Sequence, residues 1–133
     1  MYDFSPKNFL VICQYPGNLD IGPRHRVSQL MNIAFDMCAW EIWGALANGA
    51  TLCIRGSSKT GWEDVLSSVD VVIATPSILS KYLPEQYPNI QIVATAGEPC
   101  PSSLAESWAR NARFFNGYGP TEVSQYNCPV DIL

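Results

Sequence analysis

Short apolar and β-branched runs alternate with amphipathic stretches along the middle of the chain. Residues 26–35 (RVSQLMNIAF), 50–55 (ATLCIR), 70–75 (DVVIAT), 90–96 (IQIVATA) and 113–116 (RFFN) read as strands. Between them, residues 36–48 (DMCAWEIWGALAN), 62–69 (WEDVLSSV), 77–83 (SILSKYL) and 102–111 (SSLAESWARN) read as helices. Asp36 and Ser102 are suited to N-cap positions, and Gly49 follows Asn48 where a left-handed residue closes a helix. The segments 71–74 and 90–94 are apolar at successive positions, not alternate ones, as in strands covered on both faces. The pattern predicts an α/β fold, a mostly parallel sheet with helices on both faces. Residues 1–24, with SPKN, YPGN and IGPRHR, are the least regular part. The organised unit is read as 25–133.

Composition narrows the picture. A chain of 133 residues, 47% hydrophobic and 15% charged, holds one core and is too short for two. Eight basic residues stand against twelve acidic ones, and they are scattered singly, so no nucleic-acid or anionic-membrane surface is expected. Five cysteines form no C-x-x-C pair, and they read as reduced thiols of an intracellular, cytoplasmic protein. No apolar stretch is long enough to span a bilayer, and no basic segment precedes an apolar one at the N-terminus. His25, between two arginines, reads as solvated surface, and Trp43 as core.

In a parallel sheet, loops beyond the carboxyl ends of the strands converge on one rim, where ligands bind. ATPS (74–77), TAGEPCPSS (95–103) and NGYGPTE (116–122) fall there, as does the helix opening at Asp36. In NGYGPTE, Gly117 and Gly119 allow a tight turn or close approach of a ligand, and Pro120 restricts Gly119. Its amides suit phosphate, Thr121 adds a hydroxyl, Glu122 a carboxylate suited to magnesium, and Tyr118 a flat face for a base. Taken alone, the loop reads more readily as a strand-to-helix turn in which Thr121 caps and Glu122 faces the helix dipole.

Four segments together carry a more specific signal. NGYGPTE resembles the adenine- and phosphate-facing motif of adenylate-forming enzymes. FDMCAWEIWGALANGATLCI (35–54) resembles the substrate-helix motif of the adenylation domains of nonribosomal peptide synthetases, with ATPSIL and TAGEPCP between them in the family's order. The wording of RVSQLMNIAFDM and IATPSILSKY is closest to fungal synthetases. The resemblance implies a flavodoxin-like subdomain of the adenylate-forming fold.

It further implies roles at matching positions. Asn116 corresponds to the residue that hydrogen-bonds the adenine amino group, Tyr118 to the ring stacked on adenine, and Thr121 to the phosphate-contacting hydroxyl. Glu122 corresponds to the magnesium ligand, and Gly97, Glu98 and Pro99 to the loop passing over the adenine. Gly117 and Gly119 belong to the same nucleotide-facing turn. Asp36 corresponds to the carboxylate that pairs with a substrate's α-amino group, a role physically sound because an ammonium leaving water needs an opposite charge. An ordinary helix N-cap is compatible with the same aspartate. Met37, Trp40, Ala74, Ala94, Ala96, Gly117, Gln125 and Tyr126 correspond to a side-chain pocket roomy enough for a medium or large group, an aromatic one included. Trp40, four residues after Asp36, shares its helical face.

The family's serine-, threonine- and glycine-rich loop ending in lysine has no counterpart here. The chain also ends before the ribose-holding aspartate and the C-terminal domain with the catalytic lysine, so the resemblance implies an incomplete adenylation domain. The expected parent joins ATP, with Mg2+, to an amino acid and passes the aminoacyl group to a carrier-protein phosphopantetheine thiol. Its partners are then the amino acid, the carrier domain and the rest of the adenylation domain, and the fragment alone is expected to be inactive. A non-catalytic binding module derived from the family is the alternative. A flavin-binding flavodoxin-like protein is disfavoured, since no phosphate loop follows an N-terminal strand.

Overall fold

Every position of Val71–Ile73 and Ile92–Thr95 is buried, which a strand achieves only when both faces of its sheet are covered. The computed structural model describes residues 19–57, 61–117 and 128–129. Among these, β1 (Arg26–Gln29), β2 (Thr51–Ile54), β3 (Val71–Ile73), β4 (Ile92–Thr95), β5 (Arg113–Asn116) and β6 (Cys128–Pro129) form one sheet in the order β2-β1-β3-β4-β5-β6. The first five are mutually parallel, and β6 adds antiparallel to β5. This is the doubly wound α/β architecture that the sequence pattern predicts.

Side-chain alternation along the central strands sorts the core into two layers. Val71, Ile73, Ile92 and Ala94 pack with Val27, Met37 and Ala45, so helix α1 (Asp36–Leu46) covers one face. Val72, Val93 and Phe114 pack on the other, against Val65 and Leu66 of α2 (Gly61–Leu66), Leu79 of α3 (Pro76–Leu79), and Ala105 and Trp108 of α4 (Ser102–Ala109). Each fully buried valine or leucine contributes roughly 1.5–3 kcal/mol relative to exposure. Leu19 and Ile21, within the stretch read as irregular, are core residues of the α1 layer.

Local details refine several sequence expectations. The cap of α1 is Phe35 and that of α4 is Pro101, neither with a side-chain capping bond, so Asp36 and Ser102 are first helical residues. Gly49 adopts a positive φ of 73°, and the Ala50 and Gly49 amides donate back to the Ala45 and Leu46 carbonyls, closing α1 by a Schellman-type turn. β4 starts at Ile92, not at Ile90, whose amide is drawn into a turn by the Tyr87 carbonyl. Trp43 is 44% exposed, because Met37, Glu41, Gly44 and Ala45 define the buried stripe and position 43 lies opposite it.

Candidate functional site

Because β1 to β5 run parallel, the segments leaving their carboxyl ends share one rim of the sheet. Helix α1 leaves β1 toward one face, whereas α3 leaves β3 toward the other. With β1 and β3 adjacent, the crevice between their exits is the topological switch point of the fold, where ligands gather in sheets of this type.

The start of α1, the exit of β3 and the loop after β4 meet there. Gly97 has a φ of 83°, and a Cβ at that position would sit 3.7 Å from the Met37 sulfur and 4.0 Å from the Thr75 methyl. Asp36 is exposed at the head of α1, its Oδ1 accepting the Met37 amide at 2.8 Å. Met37 and Ala94 are buried in the α1 layer, with Trp40, Ala96 and Phe115 packed against them. Ala74, immediately after β3, is brought to the same rim but packs in the opposite layer, because it continues the alternation of that strand in phase with Val72.

Two polar contacts fix the neighbouring loops. Glu98 accepts hydrogen bonds from the Ser77 hydroxyl and, at 3.0 Å, from the Ser77 amide, tying the β4 loop to the start of α3. The Ser77 hydroxyl bond holds the Glu98 carboxyl below its ordinary range, against the opposing effect of burial and with lesser help from the Ser77 amide and Thr75. Thr95, fully buried, donates to the Asn116 amide oxygen at 3.1 Å, while its carbonyl accepts the Gly117 amide. The end of β5 is thereby held to that of β4, with the polar edge of Asn116 oriented by a buried hydroxyl. His25 is half-buried, its Nδ1 accepting the Gly22 amide, so it belongs to a turn instead of a solvated surface.

Glu41 is the residue that pattern reading passed over. It is completely buried in α1, and its two oxygens accept the amides of Leu30 (2.8 Å) and Met31 (3.0 Å). Burial raises its pKa to about 7 despite those two bonds and the side chain of Gln29, which favour the charged form. Gln29 also donates to the Met31 carbonyl at 2.7 Å and to the Cys38 sulfur at 3.4 Å. The available signal was a lone acid inside the apolar run MCAWEIW.

Tyr118, Gly119, Thr121, Glu122, Gln125 and Tyr126 lie outside the described residues. Among the described residues no group of three or more acidic, histidine or cysteine side chains forms a metal-ligand cluster. Cys38, Cys53 and Cys100 are free thiols, and no described helix is long and apolar enough to cross a membrane.

Residues 8–129 match the family described as AMP-binding enzyme. Adenylate-forming reductase 03009 of Coprinopsis cinerea is 48% identical over 128 residues, covering 92% of this chain and 12% of the relative. Nonribosomal peptide synthetase gliP of Aspergillus fumigatus is 43% identical over 102 residues, covering 77% of this chain and 5% of the synthetase. The AMPPNP-bound form of the nonribosomal peptide synthetase FmoA3 shares the fold, with a TM-score of 0.79 at 18% identity over 93% of this chain and 15% of that one. The chain therefore spans about an eighth or less of the curated relatives it matches.

Proposed function

The chain belongs to the AMP-binding enzyme family, and from that premise we propose that it forms the substrate- and adenine-facing segment of an enzyme that activates an amino acid with ATP. In the reaction a carboxylate oxygen attacks the α-phosphorus, a P–O bond to the β,γ-unit breaks, and aminoacyl-AMP and pyrophosphate result. The observation that carries this reading is the meeting of Asp36–Met37, Thr75 and Gly97 at the switch point, with Asn116 tied to Thr95 at the end of the strand that leads into Gly97. Asp36 is given the substrate ammonium, and Met37, Trp40, Ala94, Ala96 and Gly117, with Gln125 and Tyr126, its side chain. Ala74 backs that rim from the other layer. Asn116 and Tyr118 are given the adenine, with Gly97, Glu98 and Pro99 as the loop above it and Gly119 in the turn. Thr121 would contact phosphate, and Glu122 would hold Mg2+, whose charge would offset that of the phosphates. The protein's contribution is positioning and fixed charge. Transfer to a carrier-protein phosphopantetheine thiol follows. A second reading, in which the activated acyl group is reduced by a hydride donor held elsewhere in the parent, is favoured by the 48% identity to the reductase against 43% to the synthetase.

The test is Asp36→Ala in a chimera whose aligned segment of the Coprinopsis reductase is replaced by this chain. Amino-acid-dependent pyrophosphate exchange is expected to fall roughly a hundredfold, as a lost partner of a desolvated charge costs about 3 kcal/mol or more. Exchange with the des-amino acid should hold. Equal losses for both substrates would leave Asp36 only its place at the helix start.

A further inference from the structure

The segment between β1 and α1 carries the chain from the sheet to the first residues of the proposed substrate face, so whatever fixes it fixes Asp36, Met37 and Trp40. Its own sequence does little of this. Asn32 closes a local turn, accepting the Ala34 amide on its side chain and the Phe35 amide on its carbonyl, and the cap Phe35 contributes no side-chain bond. The tie to the sheet comes from within α1. Glu41 sends one oxygen to each of the two consecutive amides, Leu30 and Met31, at the point where β1 has ended and its ladder no longer satisfies them. A carboxylate is suited to this work, since two acceptor oxygens match two donors and hydrogen bonds to a charged group are stronger and shorter than neutral ones. Gln29 adds a second stitch from β1 to the same turn and to Cys38.

We propose that Glu41 is the positioning residue of the substrate face: by clamping the Leu30 and Met31 amides it sets the rotation and depth of α1, and through them the placement of Asp36, Met37 and Trp40 at the rim. Met37 lies one turn before Glu41 on the same buried stripe, and Trp40 immediately precedes it, so a helix free to roll about this point would move both. The inference rests on the adenylation reading only for what those three residues contact.

Two measurements separate the claims. In the 133-residue chain at pH 8, above the folded pKa of Glu41 and so with its carboxylate charged, amide hydrogen exchange read residue by residue compares Glu41→Gln with the unsubstituted protein. The amide side chain keeps the shape but turns one acceptor into a donor, so protection of Leu30 and Met31 should fall about tenfold or more. The loss should extend to Phe35, Met37 and Cys38 while Val72 and Val93 keep their protection. Unchanged Leu30 and Met31, or a loss confined to those two, overturns the proposal. Glu41→Asp, which keeps the charge but withdraws it by one methylene, should give the same selective pattern. If both variants lose protection throughout, including Val72 and Val93, Glu41 is a general core residue and the positioning role is overturned. In the reductase chimera, Glu41→Gln should raise KM for the amino acid about tenfold with KM for ATP and kcat little changed. A fall in kcat with both KM values unmoved contradicts it. If the unsubstituted chimera exchanges no pyrophosphate, the adenylation reading fails, and the amide exchange alone decides the role of Glu41.

Discussion

Protonation of Glu41 should leave a signature in the pH dependence of stability. The folded-state pKa of about 7 lies above the ordinary value of 4.5 because burial disfavours the charge more than Leu30, Met31 and Gln29 favour it. Cys38 is the titratable neighbour, its own thiol raised chiefly by burial, lowered by Gln29 and raised again by Glu41. Below pH 4.5 both states hold the Glu41 proton and its contribution is fully present. Between pH 4.5 and 7 the unfolded chain releases the proton while the native chain retains it, so stability is lost as pH rises. The gap corresponds to roughly 3 kcal/mol, at about 1.4 kcal/mol per pH unit. Urea unfolding of the 133-residue chain at intervals from pH 4.5 to 8, paired with Glu41→Gln, isolates this term, because groups not coupled to Glu41 cancel in the difference and Cys38, raised from 9.0, titrates above the window. The amide imposes a constant offset, and the slope is the quantity read. The unsubstituted chain should lose its advantage over the variant, or deepen its deficit, by roughly 3 kcal/mol over that window. A pH-independent difference, or one of opposite slope, would refute the burial-dominated environment of Glu41.

Further outcomes follow from the rim. Glu98, whose carboxyl is held low chiefly by the Ser77 hydroxyl, stabilises the loop above pH 4.5 and releases it as pH falls through its lower folded value. An NMR titration should therefore show the Ser77 amide moving below pH 4.5 in the unsubstituted chain and not in Glu98→Gln. Gly97→Ala should cost about 1 kcal/mol or more, because φ is 83° while the space around the new methyl is ordinary, and should lower Tm by roughly 4 °C. An unchanged Tm in thermal unfolding would show that the loop relaxes out of the left-handed region.

Much of this architecture could be read from the residues. The run RFFN coincides with β5, and the unbroken apolar positions of β3 and β4 announced a sheet covered on both sides. Gly49 marked the end of α1 because left-handed backbone is a local demand. Features set by distant partners were not legible. Glu41 binds amides ten and eleven residues away, and no local propensity encodes that. Ala74, one residue past β3 with its amide bonded to the Ala94 carbonyl, continues the alternation of that strand and falls in the layer of Val72. Trp43 looked like core by composition, yet its phase on α1 places it in solvent. Of the candidate site, the packing was legible in part: Met37, Trp40, Ala94 and Ala96 gather in one cluster, whereas Phe115 joins them unforeseen.

The most direct measurement is exchange of labelled pyrophosphate into ATP, run over a panel of amino acids and their des-amino analogues. It compares the isolated 133-residue chain with the reductase chimera that carries it. Charge building on phosphate needs cationic donors as well as a metal, and loss of even one well-placed electrostatic contact costs roughly a hundredfold or more in rate. The isolated chain should therefore show no amino-acid-dependent exchange, and the chimera should exchange with an amino acid in preference to its des-amino analogue. Robust turnover by the chain alone, or a folded chimera inert toward every carboxylate offered, would contradict the assignment of this segment to the substrate face of an amino-acid-activating enzyme.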